Sequence, residues 1–434
     1  MPEEQSTFKT IFSPNLSGMG DNLVKKTRGD RVIWATVILL TLASLLLVYS
    51  STGSLAYRIS KSTESFLFSQ CLFILLGLVL IYFAHRINYT IYSKIALWLF
   101  VLSIPLLVYT LFFGVQLNSG SRWIKLPVIN MTMQTSDLAK LGLFMYISRQ
   151  LSRKQKVIKD FKKGFLPIII PVAIIVLLVA PANLSTAVLI AGTSLMLMFI
   201  GRISLKHIGL TVFIAAIPVV MLISVAVMTY DKATGQQKDL PAFLAKGRIP
   251  TWVGRIQMFL HGKNDANNEK MYQINQAKIA IAKGGWLGAG PGNSEQRNFL
   301  PHSYSDFIYA IIIEEYGIVG AAIMIMIYLL FLFRCIRIFK KCPYAFGAFL
   351  ALGLSFTLVI QAIANMGVNV SLFPNTGVTL PLVSKGGSSF LFTCAAIGII
   401  LSVSRYVERN EKQKSLQTQA IVEAEEAREA IENK

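Results

Sequence analysis

The chain is short of charge, of acidic residues and of the side chains that hold metals. Only 15% of its 434 residues are charged, and it has four cysteines and four histidines. Low charge combined with 54% hydrophobic residues excludes both a disordered chain and an ordinary soluble domain. Cys71, Cys335, Cys342 and Cys394 show neither a disulfide framework nor zinc-ligand spacing, so they read as small apolar filler. His85, His207, His261 and His302 are too scattered for a histidine metal cluster, and no Ser/His/Asp or Cys/His arrangement can be assembled. Acids are outnumbered, 22 against 42 Lys and Arg. The front of the chain lacks a cleavable signal peptide, because residues 1–30 are polar and the first apolar run is long enough to anchor.

What is present is apolar sequence in long runs. A spanning helix needs about 20 mostly apolar residues, and about ten such runs begin near Val32, Phe66, Tyr92, Ser136, Phe165, Ser185, His207, Asp306, Ala345 and Gly387. The fourth and fifth are short. The excess of 20 positive charges sits in alternate loops, among them Lys25 to Arg31, Arg149 to Lys163 and Arg334 to Lys341. That is the positive-inside pattern, and with ten spans it places both termini in the cytoplasm. No aromatic-interleaved basic face accompanies the charge, which argues against nucleic acid. The expected fold is an all-α polytopic membrane protein of about ten transmembrane helices, with a large extracytoplasmic loop between helices 7 and 8. Residues 1–30 read as a cytoplasmic segment, 31–408 as the transmembrane domain and 409–434 as a charged, solvated tail.

The long loop, about 231–305, is the place to look for chemistry, since loops of that length are usually functional. It holds a basic amphipathic piece, Phe243 to Leu260, expected to lie in the membrane interface, and a helical piece, Tyr272 to Ala282. The glycine-rich turn Gly284 to Gly292 follows. It either brings backbone amides to an anionic ligand or is a tight re-entrant turn with no ligand.

Ionisable side chains in or beside a span are costly and therefore candidates for function. Arg122 lies before span four with Lys125 nearby. Asp137 and Lys140 are one turn apart and can pair, as a working site or as a buried pair that fixes helix register. Asp306 opens span eight, with Glu314 expected on the same face and Glu315 beside it. Ser305 and Asp306 could equally be an idle N-cap and first-turn acid, and Arg122 an interfacial anchor. Lys385 precedes Gly386, Gly387, Ser388 and Ser389 at the start of span ten. A lone carboxylate with cations opposite suits transfer from an activated phosphate-linked donor, whose leaving group needs charge stabilisation more than a proton.

The segments Gly120 to Ile124, Gln134 to Lys140, Gly284 to Gly292, Phe299 to Ile308, Glu314 to Gly317 and Pro374 to Ser389 occur in the order seen in the SEDS (shape, elongation, division and sporulation) family. The resemblance runs from about residue 30 to 408, and the Thr379 to Ser384 run with the Ser388–Ser389 pair resembles the cell-division branch more than the elongation branch. It implies a peptidoglycan glycosyltransferase that polymerises lipid II at the outer face of the bacterial cytoplasmic membrane, at the division septum. The implied partners are a class B penicillin-binding protein transpeptidase and other divisome proteins. Asp306 matches the family's essential aspartate and is implied as general base. Arg122, Asp137, Lys140, Glu314, Ser388 and Ser389 are implied in substrate binding, with a divalent cation, Mg²⁺ or Mn²⁺, as the one cofactor to consider and no organic cofactor.

The sequence departs from the family pattern at Thr135 (usually proline), Asp137 (glutamate), Asn183 (aspartate), His302 (an acid) and Lys385 (tyrosine). A lipid II flippase or other transporter would also have ten spans, and helices broken near mid-membrane would favour it. A non-catalytic divisome scaffold is the third reading.

Overall fold

The computed structural model describes residues 29–52, 63–117, 120–125, 132–230, 248–261, 269–301 and 303–432. The N-terminal segment to residue 28, the start of the amphipathic stretch (243–247) and His302 lie outside the described residues. Twelve helices and one small sheet are present among the described residues: α1 (Arg31–Ser51), α2 (Thr63–Arg86), α3 (Tyr89–Phe113), β1 (Val115–Leu117), β2 (Gly120–Lys125), β3 (Thr132–Gln134), α4 (Thr135–Arg153), α5 (Leu166–Val179), α6 (Leu184–Ile200), α7 (Leu205–Met228), α8 (Ile249–His261), α9 (Glu269–Gly284), α10 (Ile308–Lys341), α11 (Ala345–Asn369) and α12 (Ser388–Glu432). Ten of these helices start at or near the ten expected positions. Eight are long and apolar enough to cross a membrane, which makes the chain a polytopic membrane protein. The other two are α6, which has 17 residues, and α4, which carries Asp137, Lys140, Arg149 and Arg153. The fifth is short as expected, since α5 has 14 residues and reaches 19 only with the π-helical turn Phe161–Phe165 before it; the sixth is short as well, and the fourth, at 19 residues, is set apart by polarity and not by length.

Burial explains how α4 tolerates those groups. It packs against α3, α5 and α11, and Ala139, Leu143, Phe144 and Ile147 on it are wholly buried. A polar helix is acceptable at membrane depth when protein rather than lipid surrounds it. The most apolar stretch of α11 is 83% buried and that of α7 only 6%, so α11 is the central post and α7 faces lipid along most of its length. Polar residues set several helix starts: Asp30 Oδ1 accepts from the Val32 and Ile33 amides at 2.9 and 3.3 Å, and Asn183 Oδ1 from the Thr186 amide at 3.3 Å. Asp30 also pairs with Arg334 of α10 at 2.5 Å, tying the two helices together at the end of the bundle opposite the long loop.

The glycine turn has a definite structural task. α10 is broken at Gly317, whose φ of 67° and ψ of −168° only glycine adopts readily. The turn fits into the break. The Ala289 and Gly290 amides donate to the Glu314 and Glu315 carbonyls at 2.9 and 3.0 Å, and the Ile318 and Val319 amides donate to the Gly285 and Trp286 carbonyls at 3.0 and 3.3 Å. Two carbonyls and two amides beside the break thus find partners in the turn, as a bilayer setting favours. The turn serves as the re-entrant device: the Ala289 and Gly290 amides are committed to α10 carbonyls and the Gly288 amide to the Gly284 carbonyl at 2.8 Å. The break lies in the first third of α10 and is filled by the chain's own glycine turn.

Candidate functional site

A cavity of about 350 Å³ opens at the end of the bundle that carries the long loop. It is walled by β2 and β3, the first turn of α4, α6, the turn before α10, α11 and the segment Gly377 to Ser389. Arg122, Asp137, Lys140, Asp306, Lys385, Ser388 and Ser389, far apart in sequence, all line it.

The small antiparallel sheet, order β1-β2-β3, carries Arg122 into the wall by pairing Trp123 with Gln134 and Lys125 with Thr132. Arg122 Nε donates to the Ala182 carbonyl at 3.0 Å, and an Arg248 guanidinium nitrogen donates to the same oxygen. On α4, Asp137 Oδ1 pairs with Lys140 at 2.8 Å. Lys140 also donates to Gln361 Oε1 at 3.1 Å, while Asp137 Oδ2 is buried with no partner among the described residues. Ser388 Oγ accepts from the Gln134 amide at 3.2 Å, joining the sheet to the start of α12. Asn183, where the resemblance expects an acid, caps α6 and lines the cavity as a neutral group.

Asp306 does not open a helix. α10 starts at Ile308, its cap position is Phe307, and Asp306 lies in the preceding turn. The idle first-turn reading therefore falls away. The backbone of this turn is held from two sides. Lys385 N–H donates to the Tyr304 carbonyl at 3.0 Å and Ser384 Oγ to the Ser305 carbonyl at 2.6 Å. From α11, the Asn365 and Asn369 amides donate to the Asp306 carbonyl at 2.9 and 3.0 Å. The carboxylate lies beside Gly377, where a Cβ would come within 3.4 Å of Oδ2.

Cations converge on this carboxylate. Burial, with Arg248 and Arg255 close by, pulls Arg122 down to about 10, and Asp306 opposes the fall. Burial and Arg248 also lower Arg255, again against Asp306. At neutral pH all three stay protonated, so like charges are packed together with an unpartnered, buried Arg248 Nε among them. Such an arrangement suits a multiply charged anion. Burial, reinforced by Asp306, raises Tyr304, which remains a neutral hydroxyl.

One expectation needs correcting. Glu314 does not reach the cavity: it is 1% exposed and accepts from Ser294 Oγ and from the Glu295 and Gln296 amides at 3.1 and 3.2 Å, so it holds the loop before Asp306. α8, the described part of the amphipathic piece, packs on α7. Val253 is fully buried, and Gln257 Nε2 of α8 donates to the Ala226 carbonyl of α7 at 2.9 Å. Arg255 of α8 lies within electrostatic reach of Asp306. Sequence reasoning also missed Gln361, Asn365 and Asn369, although amides recurring every fourth residue on an apolar span were a readable signal.

The chain matches, over residues 30–409, the model of the FtsW, RodA and SpoVE proteins, described as cell cycle protein. It is 32% identical over 379 residues to a protein of Trichlorobacter lovleyi named probable peptidoglycan glycosyltransferase FtsW, covering 86% of this chain and 93% of the relative. It is 31% identical to the stage V sporulation protein E of Bacillus subtilis over 88% of this chain and 98% of that one. In fold it resembles a chain of a peptidoglycan synthase complex whose structure concerns the coordination of polymerization and crosslinking (TM-score 0.65, 23% identity, 87% and 98% of the two chains). It also resembles the rod shape determining protein RodA of Thermus thermophilus (TM-score 0.58, 21% identity, 87% and 97%).

Proposed function

The chain belongs to the family of FtsW, RodA and SpoVE cell cycle proteins, and from that premise we propose that it is a peptidoglycan glycosyltransferase that polymerises lipid II during septal wall synthesis. The observation that supports this reading is the meeting of one carboxylate, Asp306, with a cluster of cations in a cavity between spanning helices. A cavity there lets two sugars react while their lipid tails stay in the bilayer.

Asp306 takes the proton of the acceptor's GlcNAc 4-hydroxyl. The hydroxyl oxygen forms its bond to the anomeric carbon of the donor's MurNAc with inversion, and the carbon–oxygen bond to phosphate breaks, its electron pair leaving with undecaprenyl pyrophosphate. Arg122, Lys140 and Lys385, which line the cavity, meet the charge on the pyrophosphate, with Arg255 adding positive potential from α8. Among the described residues no cluster of three or more His, Cys, Asp or Glu could hold a metal alone. Asp306 and the unpartnered Asp137 Oδ2 are hard oxygen donors that would hold Mg²⁺ or Mn²⁺ together with substrate phosphate. Such an ion, when bound, neutralises charge on the leaving group. On this reading the cavity faces the outside of the cytoplasmic membrane, both termini are cytoplasmic, and a class B penicillin-binding protein cross-links the strands as part of the divisome.

The test is purified protein in liposomes with lipid II, with and without the penicillin-binding partner. Glycan strands are the expected product; transbilayer movement without strands would establish a transporter instead. Arg122→Ala is expected to weaken inhibition by undecaprenyl pyrophosphate about 10- to 100-fold, the range for a charge-assisted contact. Because Arg122 is charged until pH approaches about 10, wild-type inhibition should be level from pH 7 to 9 and weaken only as that cation loses its proton. Equal inhibition of both proteins would remove Arg122 from the anion site.

A further inference from the structure

We propose that Asn365 and Asn369 of α11 are positioning residues that hold Asp306 in its reactive placement, and that Asn369 caps the first turn of α10 in place of the Asp306 carboxylate. The inference rests on the reading of Asp306 as base. Both amides donate to the Asp306 carbonyl, at 2.9 and 3.0 Å, which fixes the peptide from which the carboxylate projects. The clamp is internally braced: Asn369 Nδ2 donates to the Asn365 carbonyl at 2.8 Å, and Asn365 Nδ2 to the Val378 carbonyl at 2.7 Å, next to the Gly377 that borders the carboxylate. Donation to the Asp306 carbonyl therefore sets both the base and the wall beside it.

Asn369 has a second task. Its Oδ1 accepts from the Ala310 amide at 3.1 Å, in the first turn of α10, an amide that otherwise has only the Phe307 carbonyl at 3.1 Å. The first amides of a helix normally draw the nearest preceding carboxylate, and such bonds favour its charged form and weaken it as a base. Here a side chain from another helix does the capping. α11 itself carries no charged residue, and the charged or titratable groups around Asp306 are Arg122 on β2, Arg255 on α8, Tyr304 in its own turn, Lys385 in the loop before α12 and the Asp137–Lys140 pair on α4.

The experiment is steady-state polymerisation by Asn365→Ala and Asn369→Ala across pH, with melting temperature measured in parallel. Each substitution is expected to lower kcat about tenfold or more, the scale of a displaced catalytic group, with KM unchanged. Asn369→Ala should also move the acid limb of the kcat profile to lower pH, as Asp306 turns to the vacated amide, whereas Asn365→Ala leaves the limb in place. Should Asn369→Ala fail to fold, Asn369→Ser, too short to reach both partners, carries the same expectation. A raised KM with kcat intact, or a limb that stays put in every folded Asn369 variant, overturns the proposal. If Asp306→Asn itself polymerises normally, it is the base assignment that fails, and the two failures are thereby told apart.

Discussion

Asp306→Asn removes glycan polymerisation by a factor of about 10² to 10⁴, the range ascribed to a positioned general base, while leaving the melting temperature and substrate binding close to those of the wild type. The substitution exchanges one oxygen for an NH₂ and keeps the side chain's shape. All the hydrogen bonds that hold this turn from α11 and from Ser384 end on backbone carbonyls, so the substitution leaves them in place. What it takes away is the capacity to accept a proton and the negative charge that Arg122 and Arg255 face. A loss of rate without a loss of fold is therefore the expected pattern, read from strand length on gels and from thermal melting of the same preparation. Wild-type polymerisation by the Asn variant would falsify the assignment.

Gly317→Ala is expected to destabilise the fold by about 3 kcal/mol or more, through a strained backbone and a steric clash together. At φ 67° and ψ −168° an L-residue is strained wherever it sits. In this place the new Cβ would also fall 2.2 Å from the Trp286 carbonyl oxygen and 2.4 Å from its carbon, both backbone atoms that cannot swing aside. The turn would have to leave the break, exposing the Glu314 and Glu315 carbonyls and the Ile318 and Val319 amides within the span. Gly288 meets the same wall from the other side, with a Cβ 2.2 Å from the Glu315 carbonyl. Gly285 is the control: its φ is 52° but nothing lies within 4 Å, so Gly285→Ala should cost only about 1–2 kcal/mol of backbone strain. Melting curves that rank the two substitutions equally would show that the close packing of turn against helix does not matter.

Some of this was legible in the residues. Apolar runs of spanning length announce a membrane protein because lipid demands them, and ten helices duly begin near the ten expected places. Asp306, Arg122, Asp137 and Lys140 could be singled out because a charge beside a span is expensive and rarely idle. The three strands were not legible: β1 and β3 have three residues each, too few for an alternation to register. Glu314 was misplaced because its eight-residue offset from Asp306 was counted along a helix. The helix starts after Asp306, and a loop covers that face. Arg255 of α8 was seen as part of the polar side of an interfacial helix, since an amphipathic pattern records that a face is polar but not what the face meets.

The amino-acid sequence by itself determined the class of protein, the number and order of its spans and the residue types available for chemistry. These follow from local rules, hydropathy over a window and the cost of charge in lipid. The tertiary structure alone decided which of those residues meet: that Asp306 precedes its helix instead of capping it, that α11 holds it with two amides, and that two arginines from distant segments, Arg122 and Arg255, bear on it. Such meetings depend on how helices hundreds of residues apart pack around α11, and no local pattern carries that distance.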